Sequence, residues 1–327
     1  TLQARLRKVC EHFHNTANEE LSSISSELAS FYSMVANEAL VEAQVQSADV
    51  AAIANHGQTV DHAPPLSTQL GDPQAIADQT GIRTIMQFRQ ADLAAGGQGA
   101  PLMPAFHASH MRPSRGSRVV LNIGGIANIT LIPSANTSVL GFDTGPGNVL
   151  MDEWMRAHFD SPYDRDGELA SKGESDPTLL SRLLNDPYFS KPYPKSTGTD
   201  YFNLNWVREK FPDIDSLSRT NVLATFLELT VETIANSIEV MVEDDQINEL
   251  VICGGGANNG AILRNLADRL PSASIKTSDQ VGLPADYLEA IGFAWLGYCF
   301  DQDHYSNLPS VTGAKRSVVL GQEFHPQ

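Results

Sequence analysis

Asp143 stands in the stretch GFDTGPGNVLMDEW, residues 141–154, a single carboxylate beside glycines and a proline, ahead of what reads as a helix. A carboxylate on a rigid turn can cap a helix N-terminus, bind a metal or take a proton from a substrate. Three glycine turns, LNIGG, GFDTGPGN and VICGGGANN, each follow an apolar strand pattern. Glycine lets the backbone approach a ligand closely and turn its N–H groups toward an anion. One such turn is ordinary punctuation, whereas three in one chain, each opening off a strand end, fit a nucleotide cleft. They are not a P-loop, whose closing Gly-Lys-Ser/Thr is absent, and GGGANNG has the wrong glycine spacing for a dinucleotide turn.

Polar residues gather in three further stretches. NHGQTVDH, residues 55–62, sets His56, Gln58 and Thr59 at a strand end, where ligand-contacting side chains collect. QFRQADLAAGGQGAPL, residues 87–102, sets Arg89 and Asp92 ahead of a glycine loop, and PKSTGTDYFN, residues 194–203, is rich in small hydrogen-bonding groups. Many paired donors and acceptors suit a carbohydrate, and capped turns are the plainer alternative. Metal ligation is poorly supported. His12 and His14 are two apart on a predicted helix and point apart, and His107 and His110 lack a nearby Cys or third His. YDRDGE, residues 163–168, is too short for a calcium loop and reads as a turn, and VEDD at 242–245 reads as a solvated helix end.

These residues need a framework of strands and helices. Residues 1–46 carry helical periodicity in two segments, and VAAIANHGQTV reads as a buried strand entering a polar loop. SRVVLNIGGIANITLI, residues 117–132, reads as two strands around a Gly-Gly bend. Helices are predicted near 147–159 and 220–243, and residues 249–271 read as strand, glycine turn and helix ending before Pro271. DYLEAIGFAWLGYCF is apolar on nearly every face and is expected to be interior. The mixture is α/β.

Composition narrows the class. The chain of 327 residues is long enough for two domains, and 42% hydrophobic with 19% charged residues is globular. A formal net charge of −17 opposes nucleic-acid and anionic-membrane partners, although backbone amides and a local cation can still hold a small anion. No run of 18 apolar residues appears, and TLQARLRKVC does not read as a signal peptide, since no apolar stretch follows its charges. Cys10, Cys253 and Cys299 are scattered and odd in number, which points to a reducing cytoplasm.

Taken in order from about residue 50 to the end, HGQTV, GGQGAPL, LNIGGIANIT, DTGPGN, PKSTG, GGGANN, EAIGFAWL and NLPSVTGA resemble the anhydro-N-acetylmuramic acid kinases. The resemblance implies a two-lobed sugar kinase/Hsp70/actin-like, ribonuclease H-like fold with an interlobe cleft. It implies ATP and Mg²⁺ as cofactors, hydrolytic opening of the 1,6-anhydro bridge of anhydro-N-acetylmuramic acid, and phosphorylation of O6 to give N-acetylmuramic acid 6-phosphate in cell-wall recycling. By the same resemblance Asp143 is the base, and Glu289 faces the sugar and assists the water. His56, Gln58, Arg89 and Asp92 line the sugar pocket. Gly124 and Gly125 approach the phosphates, and Gly255, Gly256 and Asn258 lie near adenosine. A Glu in so apolar a stretch as YLEAIGFAW is expected to need a partner.

The expected domains are 1–116 with the tail 319–327, carrying the sugar loops, and 117–318, carrying nucleotide binding and Asp143. The expected partners are the sugar and ATP, with a homodimer left open. Departures from the family pattern are Asp61 where an aromatic is common, Thr199 where an Arg is expected, and a short loop at DHAPPLSTQLGDP. The family's opening strand and Gly-Thr-Ser-x-x-Asp-Gly loop have no counterpart here, so a segment before Thr1 is expected. Their absence leaves a second reading, a catalytically inactive muropeptide-binding relative lacking the phosphate loop. A third is a dinucleotide-dependent enzyme using GGGANNG.

Overall fold

A computed structural model describes residues 1–134, 138–241 and 247–327. The run at 242–245 lies outside the described residues. The chain divides into two compact units, one formed by Thr1–Phe106 with Glu289–Gln327 and the other by His107–Leu288.

The first unit begins with helices α1 (Leu2–His12) and α2 (Asn18–Ala43), as their periodicity predicts. Strands β1 (Ile53–Ala54), β2 (Gln58–Ala63) and β3 (Leu66–Leu70) follow, then α3 (Pro73–Thr80), β4 (Thr84–Met86), α4 (Gln90–Ala94) and the start of α5 (Met103–His110). The polar loop expected after β1 is short, because extended structure resumes at Gln58. β1 pairs in parallel with β4, and β2 forms an antiparallel hairpin with β3. α2 buries Ile24 and Leu28 with Val9, Val60 and Leu70, so the two N-terminal helices cover the hairpin. α3 shows how tightly local rules act here. Asp72 caps its first turn, Pro73 opens it and Gly81 closes it in the left-handed region, where a side chain would be strained.

The second unit holds β5 (Ser117–Ile123), β6 (Ile126–Pro133), β7 (Leu140–Pro146), α6 (Val149–His158), α7 (Pro177–Leu184), α8 (Leu204–Lys210), α9 (Arg219–Met241), β8 (Ile247–Cys253), α10 (Gly260–Arg269) and β9 (Ser274–Thr277). The sheet runs β7-β6-β5-β8-β9, with β6 antiparallel to both neighbours and β8 parallel to β5 and β9. This is a mixed sheet of the ribonuclease H-like order, and the α/β expectation holds. Val119, Leu121, Ile129, Leu250 and Ile252 from the strands join Trp154, Phe226 and Ile234 from α6 and α9 in one core. Burial on that scale is the main drive for this unit, at about 1.5–3 kcal/mol for each large side chain fully removed from water.

The chain then returns to the first unit as α11 (Leu288–Asp301), α12 (Pro309–Thr312) and β10 (Gln322–Phe324), the last pairing antiparallel with β4. Among the described residues no helix is long and apolar enough to cross a membrane.

The division differs from the expected one at 117 and 319. Phe293 and Leu296 of α11 pack with Ile85, Phe88 and Leu320, which ties α11 to the first unit. Residues 107–116 go with the second, because Arg118 donates to the Met111 carbonyl and Ser134 N–H to the Gly116 carbonyl, each at 2.7 Å. α11 is also not wholly interior. Leu288, Phe293, Leu296 and Cys299 are buried, while Glu289, Ala290, Ala294 and Tyr298 are exposed. Alanines and a tyrosine made its outer face look apolar in the sequence.

Candidate active site

Asp143 sits on a strand and not in a turn. β7 carries it to within three residues of its end, and the bend comes later, at Gly147 and Asn148 ahead of α6. β7 is the edge of its sheet, with a register shift opposite Ala127 and Asn128 of β6. An edge strand leaves backbone groups unpaired, and here the loop after α7 takes them up. Asp143 N–H donates to the Lys195 carbonyl at 3.1 Å, and the Tyr188 hydroxyl donates to the Asp143 carbonyl at 2.7 Å. The same loop reaches the side chain, where the Ser196 hydroxyl and the Thr197 N–H each donate to Oδ2 at 2.9 Å. Burial pushes the carboxyl above the ordinary aspartate range, and the Thr197 and Ser196 hydrogen bonds pull it partway back. The capping alternative falls away, since its hydrogen bonds come from residues 196 and 197 and not from α6.

α6 is started by other groups. Gly147 N–H and Val149 N–H donate to the Gly125 carbonyl at 2.8 and 3.1 Å, and Asn148 N–H donates to the Gly124 carbonyl at 2.8 Å. Gly124 and Gly125 therefore hold the helix start with their carbonyls. Gly125 remains exposed. Gly147 must be glycine, because a Cβ there would lie 2.4 Å from the Gly124 oxygen.

A cavity of about 440 Å³ opens beside the same helix, lined by Asn148, Asp152, Tyr163, Arg165, Gly255 and Asn258 among others. Gly255 and Asn258 line this space, while Gly256 is buried against Ile123 and is not part of its lining. The 163–168 turn is more than punctuation. Asp164 accepts from the Leu169 and Ala170 amides, Asp166 accepts from Gly260 N–H at 2.7 Å, and the turn forms one cavity wall.

Burial pushes Asp152, in the first turn of α6, up to about 6, with Arg156 opposing. A carboxyl raised in the folded state favours folding fully below its unfolded value, and that contribution is lost as pH rises through about 6. Asp152→Asn should therefore leave the melting temperature near wild type at pH 4 and raise it by roughly 1–3 °C at pH 8. Differential scanning calorimetry at the two pH values checks this.

In the first unit His56 and Arg89 meet directly. Arg89 donates through Nε to His56 Nε2 at 3.0 Å and through Nη1 to the Gly99 carbonyl at 2.8 Å, and His56 Nδ1 lies 3.0 Å from the Gly57 carbonyl. With Nε2 accepting, Nδ1 carries the proton. Burial, then the Arg89 charge, lowers His56 to about 4, so the ring is neutral at pH 7. It packs against Phe293 at 4.7 Å between ring centroids. Burial lowers Arg89 as well, and the charge of Glu289 counters it. Glu289 itself is exposed in the first turn of α11, so the partner expected for a buried Glu is not required. Gln58 is exposed and donates to the Thr59 carbonyl at 3.1 Å.

Asp92 is the clearest departure among the expected sugar contacts. It is 0% exposed, and both oxygens are taken. Oδ1 accepts from Asn307 Nδ2 and Thr312 Oγ1, each at 2.7 Å, and Oδ2 accepts from Gly99 N–H at 2.8 Å. It joins the glycine loop to NLPSVTGA across more than 200 residues of sequence and leaves no oxygen for a ligand. Gly97 makes the approach possible, since a Cβ there would meet Oδ2 at 2.2 Å.

Sequence reasoning missed Ser196 and Thr197 as individual residues. PKSTG was visible as a hydrogen-bonding loop, but which group it would bond to depends on β7 being an edge strand.

The second unit thus holds a part-buried carboxylate clamped on a sheet edge and, beside the helix that follows that strand, a polar cavity. A model of the anhydro-N-acetylmuramic acid kinase family matches residues 1–326. The anhydro-N-acetylmuramic acid kinases of Shewanella sp. (strain MR-4) and Shewanella frigidimarina (strain NCIMB 400) are each 42% identical over 323 residues, 98% of this chain and 86% of theirs. The chain belongs to the anhydro-N-acetylmuramic acid kinase family. A solved structure, the activator of the 2-hydroxyisocaproyl-CoA dehydratase from Clostridium difficile with bound ADPNP, overlays with a TM-score of 0.35 at 16% identity, over 60% of this chain and 65% of that one. A likeness that loose carries no weight here.

Proposed function

We propose that Asp143 is the general base of an ATP-dependent kinase that opens the 1,6-anhydro bridge of anhydro-N-acetylmuramic acid and phosphorylates O6. The carrying observation is the hydrogen bonding of Asp143, in which Oδ2 is held by two donors while the carboxylate stays part-exposed. In the reaction a water oxygen bonds to C1 and gives its proton to Asp143. The C1–O6 bond breaks, its electron pair goes to O6, O6 bonds to the γ-phosphorus, and ADP leaves with the electrons of the β–γ bridge. General-base help of this kind is worth roughly 10²–10⁴-fold.

Family membership supports the activity and the use of ATP, and nothing in the comparisons favours the inactive muropeptide-binding reading or a dinucleotide. His56, Gln58 and Arg89 are proposed to line the sugar pocket, with His56, whose two ring nitrogens are engaged by Arg89 and Gly57, holding Arg89 in place as a fixed cation. Glu289 is proposed to assist the water, its exposure keeping it available. The cavity lined by Gly255 and Asn258 is proposed to take the adenosine part of ATP. Among the described residues no three His, Cys, Asp or Glu gather as a metal cage. In this reading Mg²⁺ would come on the ATP phosphates, and the ion then needs one or two protein carboxylates at most. A cytoplasmic location is part of the proposal, and a homodimer is not.

Turnover in ¹⁸O-enriched water should place essentially one label on C1 of the sugar product and none in the transferred phosphoryl group. Mass spectrometry of the product checks it, and label confined to phosphate would contradict water attack at C1.

A further inference from the structure

The geometry points to Ser196, with the Thr197 amide, as a positioning device that ties down one oxygen of Asp143 and leaves Oδ1 as the proton acceptor. This rests on Asp143 being the base. Both donors land on Oδ2 at 2.9 Å. A carboxylate free to rotate would present either oxygen in many directions, whereas two hydrogen bonds to one oxygen fix the plane and the direction of the other.

The loop that supplies the donors is itself fastened at several points. The Lys195 carbonyl accepts from Asp143 N–H, and Lys195 Nζ donates to the Tyr188 and Phe189 carbonyls at 3.2 and 3.1 Å. That ammonium also lies over the Tyr188 and Phe142 rings, 4.8 and 5.6 Å from their centroids. The titratable groups facing Asp143 from the packed segments are therefore Tyr188 and Lys195. Tyr188 donates to the Asp143 main chain, and Lys195 is turned to carbonyls and rings. β6 sets Asn128 opposite Asp143 in the ladder, and it does not titrate. Among the described residues, Ser196 and Thr197 are the groups that donate to the carboxylate.

Ser196 has a second consequence. A hydroxyl that donates to the ionised form keeps it ionised at lower pH, so its loss raises the pH at which the base becomes active.

The test compares Ser196→Ala, Ser196→Thr and Asp143→Asn in the full chain with anhydro-N-acetylmuramic acid and ATP. Two readouts are taken: the pH profile of kcat/KM, and a ¹³C NMR titration of the Asp143 carboxyl, assigned by its absence in Asp143→Asn. Ser196→Ala should move the acidic limb and the NMR midpoint upward together by about one pH unit, a hydrogen bond to a charged group being of that size. Its kcat should fall about tenfold, and Ser196→Thr should restore both. A lower kcat with an unmoved midpoint and limb would make Ser196 merely structural and overturn the inference. Wild-type turnover in Asp143→Asn would instead remove the base reading on which it rests.

Discussion

Asp143→Asn will bind the anhydro sugar and ATP with dissociation constants within a few-fold of wild type, while its turnover falls by about 10²–10⁴-fold or more. The amide keeps an oxygen that can accept from the Ser196 hydroxyl and Thr197 N–H, so the loop stays on β7 and the fold is preserved. It cannot take a proton from water near neutral pH. Because C1–O6 cleavage supplies the nucleophile for phosphorylation, bridge opening and ADP release should fall together. Coupled-enzyme assay of ADP and chromatography of the sugar measure the two. ADP formation at the wild-type rate would show that phosphoryl transfer needs no help from Asp143.

Asp92→Ala should lose stability more than it loses recognition. The substitution removes the acceptor of Gly99 N–H, leaves Asn307 Nδ2 and Thr312 Oγ1 only their longer contacts to the Arg316 and Leu308 carbonyls, each at 3.3 Å, and opens space where Gly97 had packed against the carboxylate. Hydrogen bonds to a charged group are worth about 1.5–3 kcal/mol each, so the loss of unfolding free energy should be on the order of 3 kcal/mol or more. Denaturant unfolding at pH 7 measures it. A variant as stable as wild type but with weakened sugar binding would return Asp92 to the ligand pocket that the sequence suggested.

The contrast between these two aspartates shows what was legible beforehand. The glycine bend of residues 124 and 125, the strand, turn and helix of 249–271, and both N-terminal helices follow from periodicity and turn chemistry, which are local. Asp143 stood out because its neighbours are small and stiff, although the proline and glycines follow it and the strand itself carries it. Asp92 and Arg89 looked equivalent, three residues apart ahead of one glycine loop. What separates them is long-range: Asp92 is claimed by Asn307 and Thr312, while Arg89 is claimed by His56. No window of sequence contains both partners. The expectation of a buried, partnered Glu289 fails for a related reason, since its helix is apolar in composition yet turns one face outward. Ser196 and Thr197 needed the knowledge that β7 ends its sheet, which only topology supplies.

The central claim, that a carboxylate at position 143 does the proton work, is tested most directly by giving the reaction one from solution. Asp143→Ala removes the group and leaves a gap on a part-exposed strand, and sodium formate can then be titrated into the assay. Turnover should be near background without formate and rise in proportion to its concentration, with the C1 oxygen still drawn from water. Wild-type turnover before any formate is added, or a rate that stays at background at every concentration while both substrates bind, would contradict it.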